Sequence, residues 1–221
     1  MEVHDKASRG FIDGSAYDKG RPSYTEEAAE YIANLLKKTP DKEEVKYDVL
    51  ELGAGTGKFT QMFINKLDKL VVAAQCFHWF ANETSLKEIQ RVLIPGGVFA
   101  MVWNHKDSRI PWVKQLQDIV LSYYTEDIPR ALDYKWKPVI ENFSGFASGE
   151  NLFLSGIHLK GSKDFIVEHH CTISVMSSLV PEQKTVAAKK LRNVLDSDEA
   201  TKNSNEIILP FVTEIYHCVK K

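Results

Sequence analysis

Short, wholly apolar runs alternate along the chain with longer stretches in which apolar residues recur at helical spacing. Val49 to Leu52, the opening of VVAAQCFHWF (71–80) and VFAMVW (98–103) read as strands buried on both faces. Between and around them lie five helical patterns. The first, 25–38, has Thr25 as its N-cap, Glu26 and Glu27 in its first turn, and Ala28, Ile32, Leu35 and Leu36 on one face. The second, 58–67, buries Phe59, Met62, Phe63 and Leu67. Residues 83–93 follow Asn82 as N-cap and turn Leu86, Ile89, Val92 and Leu93 inward, before Pro95, Gly96 and Gly97 make a turn. Residues 111–124 carry Trp112, Leu116, Ile119, Val120 and Tyr123, and 181–195 carry Val186, Ala187, Leu191 and Leu195. Strands alternating with helices imply an α/β fold around a parallel sheet.

The last third is less regular. Residues 125–150 are rich in loop formers and aromatics (Trp136, Phe143, Phe146), and the wider segment 106–160 suits a substrate cover. Segments 152–159 and 164–175 have strand-like composition, and on a strand His169 and His170 would point to opposite faces and could not share a metal ion. EIILPFVTEIYHCVKK (206–221) reads as β-rich with a break at Pro210. Residues 1–221 show neither an internal repeat nor a separating linker, so one domain is expected.

Composition narrows the function classes. A net charge of −2 with no basic block argues against nucleic acid as the main partner. Cys76, Cys171 and Cys218 lie far apart with no CxxC, so a disulfide framework and a zinc site are both unsupported, and no metal is expected. The longest apolar runs fall well short of the roughly 20 residues that span a membrane, and the polar start MEVHDKASRGF lacks a signal peptide's apolar stretch. A cytoplasmic protein is the expectation.

The candidate chemistry centres on DVLELGAGTGKFT (48–60), where Gly53, Gly55 and Gly57 occupy alternate positions between a strand and a helical pattern. Glycines permit positive φ and let a ligand approach the backbone, while a helix start offers unpaired N–H groups to an anion. The dinucleotide fingerprint fails because its sixth position is Lys58, and the Walker pattern fails at Leu52 and Phe59. Upstream, Tyr17, Arg21 and Tyr24 sit among turn formers, where an arginine between tyrosines could clamp a carboxylate or simply pack. Downstream, Gln75, His78 and Trp79 fall at the carboxyl end of a strand, the ligand-binding side of open α/β sheets. His78 could act as a general base near neutral pH, or be held by a structural partner while Trp79 packs.

Four blocks in order, SAYDKGRPSY, VLELGAGTGKFT, VVAAQCFHWF and EIQRVLIPGGVFAMVWN, resemble the class I S-adenosylmethionine (SAM)-dependent methyltransferases of the methyltransferase-11 type, including the trans-aconitate-methyltransferase-like group. The resemblance implies a Rossmann-like sheet with flanking helices and methyl transfer from SAM to a small-molecule acceptor. By position, Gly53, Gly55 and Gly57 would cradle the methionine part of SAM, Glu51 would engage its amino group, and Tyr17, Arg21 and Tyr24 would close over it. Gln75 could offer its amide to the same end of the cofactor. The chain departs from the pattern in one place. Family members carry a second strand, whose terminal acid binds the ribose, and then a third strand. A βαβ unit takes roughly 30 residues or more, but only residues 58–69 lie between Gly57 and Leu70. The strand 2 to strand 3 segment is therefore expected to be missing, and Asp68 lacks a strand end from which to replace the acid. Two consequences are expected: a first strand left at the sheet edge, open to weak self-association, and weak or absent SAM binding. The alternative function is then a non-catalytic interaction module.

Overall fold

A computed structural model describes residues 21–37, 49–62 and 70–221. Tyr17, Asp68 and the second half of the helix expected over 58–67 lie outside the described residues. The chain divides into two compact units. One comprises Met1–Pro22, His105–Ile128 and Gly156–Val212, and the other Ser23–Asn104, Pro129–Ser155 and Thr213–Lys221. The segment 106–160 is thus shared between them.

The second unit is built on a sheet of β1 (Val49–Leu52), β2 (Leu70–Ala74), β3 (Val98–Lys106), β7 (Phe211–Val219) and β4 (Glu150–Ser155), in that order. β1 pairs in parallel with β2, Glu51 opposite Val72, and β2 in parallel with β3, Val72 opposite Ala100. Among the described residues β1 pairs with β2 alone.

Both faces of the sheet are covered, which explains the uninterrupted apolar runs. On one face Val72, Val98, Ala100 and Val102 pack with Ala28, Ala29, Ile32 and Leu35 of α1 (Glu26–Lys37). On the other, Val71, Ala73, Phe99, Met101 and Trp103 pack with Leu86, Ile89 and Leu93 from α2 (Glu83–Val92) and its cap. Burying each large apolar side chain contributes about 1.5–3 kcal/mol. Both predicted caps are present: Thr25 Oγ1 accepts from the Ala28 N–H at 3.2 Å, and Asn82 Oδ1 from the Ser85 N–H at 2.9 Å. At the other end of α2 the Lys220 ammonium donates to the carbonyls of Gln90 and Leu93, where a cation is favoured by the helix dipole. Val92, expected inward, is 41% exposed. Of the aromatics in 125–150, Trp136 and Phe146 are core residues, and Phe143 packs against them partly buried. Trp136, on α4 (Trp136–Glu141), stacks on Trp103 with ring centroids 4.5 Å apart and meets Tyr216 edge-on at 5.2 Å.

The first unit packs α3 (Pro111–Leu121) and α5 (Lys163–Cys171) against α7 (Pro181–Ser197), beside the short α6 (Ser174–Ser177). Ala187, Leu191 and Leu195 form the buried stripe of α7, while Val186 is 52% exposed. β5 (Leu159–Gly161) and β6 (Ile207–Leu209) form an antiparallel pair. Three expectations are corrected. Residues 164–175 form helix, not strand: Ser162 caps α5 by accepting from the Phe165 N–H at 3.1 Å, with Asp164 in the first turn. His169 and His170 therefore do not project to opposite sheet faces; both are buried, with ring centroids 5.0 Å apart. The expected strand 71–80 ends at Ala74, and Phe77–Trp79 form a 3-10 turn. The expected strand 152–159 is the end of β4, then a break, then the start of β5.

Candidate active site

β1 ends at Leu52 and the chain turns at once through three glycines, each at positive φ: +66° at Gly53, +56° at Gly55 and +76° at Gly57. L-residues rarely adopt this region, and it requires glycine here for two different reasons. At Gly53 a Cβ would lie 3.1 Å from Cys76 Sγ, so the Cys76 side chain would also have to give way by a few tenths of an ångström. At Gly55 a Cβ would meet nothing closer than the Gly53 carbonyl at 3.8 Å, so the space there is open. Residues 53–56 are exposed. The Gly57 N–H donates to the Ala54 carbonyl at 2.9 Å and the Gln61 N–H to that of Gly57 at 2.9 Å, leading into a 3-10 turn at Thr60–Met62.

Glu51 is half-buried beneath this bend, and its carboxylate accepts a short hydrogen bond from the Thr60 hydroxyl. Burial pushes its pKa up, and the Thr60 bond partly offsets the shift. Cys76 donates its thiol proton to the Leu52 carbonyl at 3.0 Å. Burial, with the Glu51 charge second, pushes that thiol up to about 12, so it stays protonated and structural. Gln75 follows β2 at φ +62°, unusual for a residue with a Cβ, and its N–H donates to the Val102 carbonyl at 2.8 Å.

His78 lies in the 3-10 turn after β2, where its Nδ1 accepts from the Trp103 indole N–H at 3.2 Å. An uncharged ring so engaged carries its proton on Nε2, and its lone pair is spent on Trp103. Tyr24 is 6% exposed and meets Phe59 edge-on at 5.0 Å, which makes its ring part of the core under α1. Asn104, on β3, is engaged on both sides of its amide. It donates to the Ser23 carbonyl at 3.1 Å and accepts from the Thr213 hydroxyl at 2.7 Å. The structure therefore brings together Glu51, the glycines, Thr60 and Cys76, and separately pairs His78 with Trp103. Two of these partners escaped the sequence reading: Thr60 stands three residues beyond the last glycine, and Trp103 lies 25 positions from His78. A third, the fully buried Glu214, accepts from Tyr134 and Asn151 on distant segments.

In the other unit, Arg21 has Lys106 and His170 as electrostatic neighbours. Among the described residues no group of three or more His, Cys, Asp or Glu is placed to hold a metal ion, and no helix is long and apolar enough to cross a membrane.

No protein-family model matches the chain. It is similar to an uncharacterized methyltransferase-like protein of Schizosaccharomyces pombe, at 28% identity over 255 positions covering 95% of this chain and 94% of the relative. An uncharacterized methyltransferase of Mycobacterium bovis is 26% identical, with 90% of each chain covered. Because 95% of 221 residues is about 210, roughly 45 of the 255 positions have no counterpart in this chain, more than the roughly 30 residues of a minimal βαβ unit. Among solved structures, a proposed type II methyltransferase from Anaeromyxobacter dehalogenans shares the fold at TM-score 0.53 and 17% identity, over 90% of this chain and 97% of that one. The YcgJ protein from Bacillus subtilis does so at TM-score 0.51 and 12% identity, over 89% and 99%. The chain is thus similar over most of its length to uncharacterized methyltransferases, and it shares the α/β fold of solved methyltransferase structures.

Proposed function

We propose that this chain transfers a methyl group from SAM to a small-molecule acceptor in a reducing, cytoplasmic compartment. The observation that carries the reading is the bend of three positive-φ glycines, open at Gly55, at the carboxyl end of a parallel strand. Backbone so exposed lets an amino-acid-like ligand approach without meeting a Cβ, and Glu51 beneath it supplies a charge for an ammonium group. Gly53, Gly55, Gly57 and Glu51 would hold the methionine end, with Gln75 offering its amide. Bound SAM supplies an electrophilic sulfonium methyl. The protein's part is then chiefly to orient the acceptor and exclude water. His78 serves as a base in this scheme only once its bond to Trp103 is released. Trp136 and Phe146, in the segment expected to cover the acceptor, are committed to the core.

The fit covers one half of the cofactor. Among the described residues no strand lies beyond β1 to present a ribose-binding acid. We place the roughly 45 unmatched positions of the fission-yeast relative between Gly57 and Leu70, where the sequence departs from the family pattern. One-sided pairing of β1 among the described residues, with Leu50 45% exposed, favours a second reading. In it the chain is a shortened, non-catalytic scaffold that self-associates weakly through this edge. Melting temperature measured against SAM and against protein concentration separates the two. A saturable rise with SAM supports the enzyme. Concentration-dependent association without such a rise supports the scaffold.

A further inference from the structure

The outer flank of α2 carries Glu83, Lys87 and Gln90 in one stripe, three and four residues apart. Opposite them stand Val139 of α4 and the chain that follows, from Asn142 to Gly145. Between the two lies a cleft of about 570 Å³, within the roughly 300–1,000 Å³ of small-molecule sites. All its lining residues belong to the unit formed by Ser23–Asn104, Pro129–Ser155 and Thr213–Lys221. None of them is part of the glycine bend.

Gly145 shapes the cleft. A Cβ there would stand 2.5 Å from both Gln90 Nε2 and Phe143 Cε1, too close for any side chain. Its absence lets the Gln90 amide and the edge of the Phe143 ring converge on one point. Phe143 and Val139 are partly buried against the core and give the cleft an apolar floor. Glu83 and Lys87 pair at 2.8 Å and cancel each other's charge, so the cleft is neutral. Its hydrogen-bonding capacity is unspent. Among the described residues, the side-chain amides of Gln90 and Asn142 and the Ser144 hydroxyl bond to no other protein group. A primary amide sets N–H donors beside an acceptor oxygen, so its complement is another N–H beside a C=O. Asn and Gln engage the edges of nucleobases through two hydrogen bonds in the same way. An ionised ligand would find no counter-charge here, and an aliphatic one would forgo the contact with the Phe143 ring.

We propose that the cleft between α2 and α4 binds a small, uncharged planar ring with an amide edge, the ring against Phe143 and the edge paired with Gln90. That chemistry is shared by pyrimidine nucleosides such as uridine and by aromatic carboxamides such as nicotinamide. The site stands whether or not the glycine bend takes SAM.

The test follows the amide resonances of the 15N-labelled full chain as uridine or nicotinamide is added. Saturable shifts of the Gln90 side-chain amide, assigned by its loss in Gln90→Leu, are expected with one probe or both. The tighter probe identifies the ligand's source. Methylating the edge, in 3-methyluridine or N,N-dimethylnicotinamide, should weaken binding at least tenfold. Gly145→Ala, whose methyl group would displace Gln90 and Phe143, should weaken it tenfold or more. Gln90→Leu, read at the backbone amides of residues 143–145, should do the same and leaves the loop backbone untouched. No saturable shift at Gln90 with either probe, equal binding of the methylated compounds, or undiminished binding by Gln90→Leu would each overturn the proposal.

Discussion

Two parallel strands of one sheet could hardly be supported more differently. β3 has neighbours on both sides and buries every residue from Val98 to Trp103. β1 has four residues, pairs with β2 alone among the described residues, and leaves Leu50 45% exposed. Yet the glycine bend, where a cofactor would be gripped, springs from β1. The stability of the unit and its candidate chemistry thus reside in different strands. Damage to β3 should unfold the protein, whereas damage to β1 should leave a folded protein with a poorer site.

The largest expected effect is at Trp103, which stacks on Trp136 and donates to His78. Trp103→Ala should cost about 3–5 kcal/mol in urea unfolding, and a loss below about 1 kcal/mol would undo the contrast. Next comes Lys106, at the end of β3. Burial, with Arg21 second, pushes its folded-state pKa down to about 7, below its usual value of 10.5, so between those values the unfolded chain binds more protons and stability rises with pH. Lys106→Met should therefore stabilise most at pH 7 and below, with the gain fading towards pH 10.5. Melting temperatures at pH 6 and pH 9 check the sign.

At β1 the effects shrink. Gly53→Ala meets both positive φ and Cys76, and should cost about 2 kcal/mol, against about 1 kcal/mol for Gly55→Ala, where only φ matters. Equal losses would mean that the Cys76 contact carries nothing. Leu50→Lys should change stability by no more than about 0.5 kcal/mol. If the edge self-associates, the same substitution should abolish the association in analytical ultracentrifugation.

Local signals explain what could be read in advance. Val49 to Leu52, the caps Thr25 and Asn82, and the break at Pro210 each depend on adjacent residues, and the structure has them. The helix Lys163–Cys171 was also written locally, in Ser162 and Asp164, but the β-branched and aromatic DFIV masked it. The pairings of Trp103 with His78 and of Lys106 with Phe211 had no such signal. They depend on tertiary packing between residues 25 to 105 positions apart, which neither spacing nor composition encodes.

The most direct test of the account is calorimetric titration of SAM into the wild type and Gly55→Ala. A Cβ at Gly55 clashes with no protein atom and fills only the space left open for a ligand. The account predicts saturable binding to the wild type with a Kd on the order of 0.1–1 mM, as a half-walled site implies, and its loss in the variant. No binding to the wild type at millimolar SAM, or equal binding by both proteins, would contradict it.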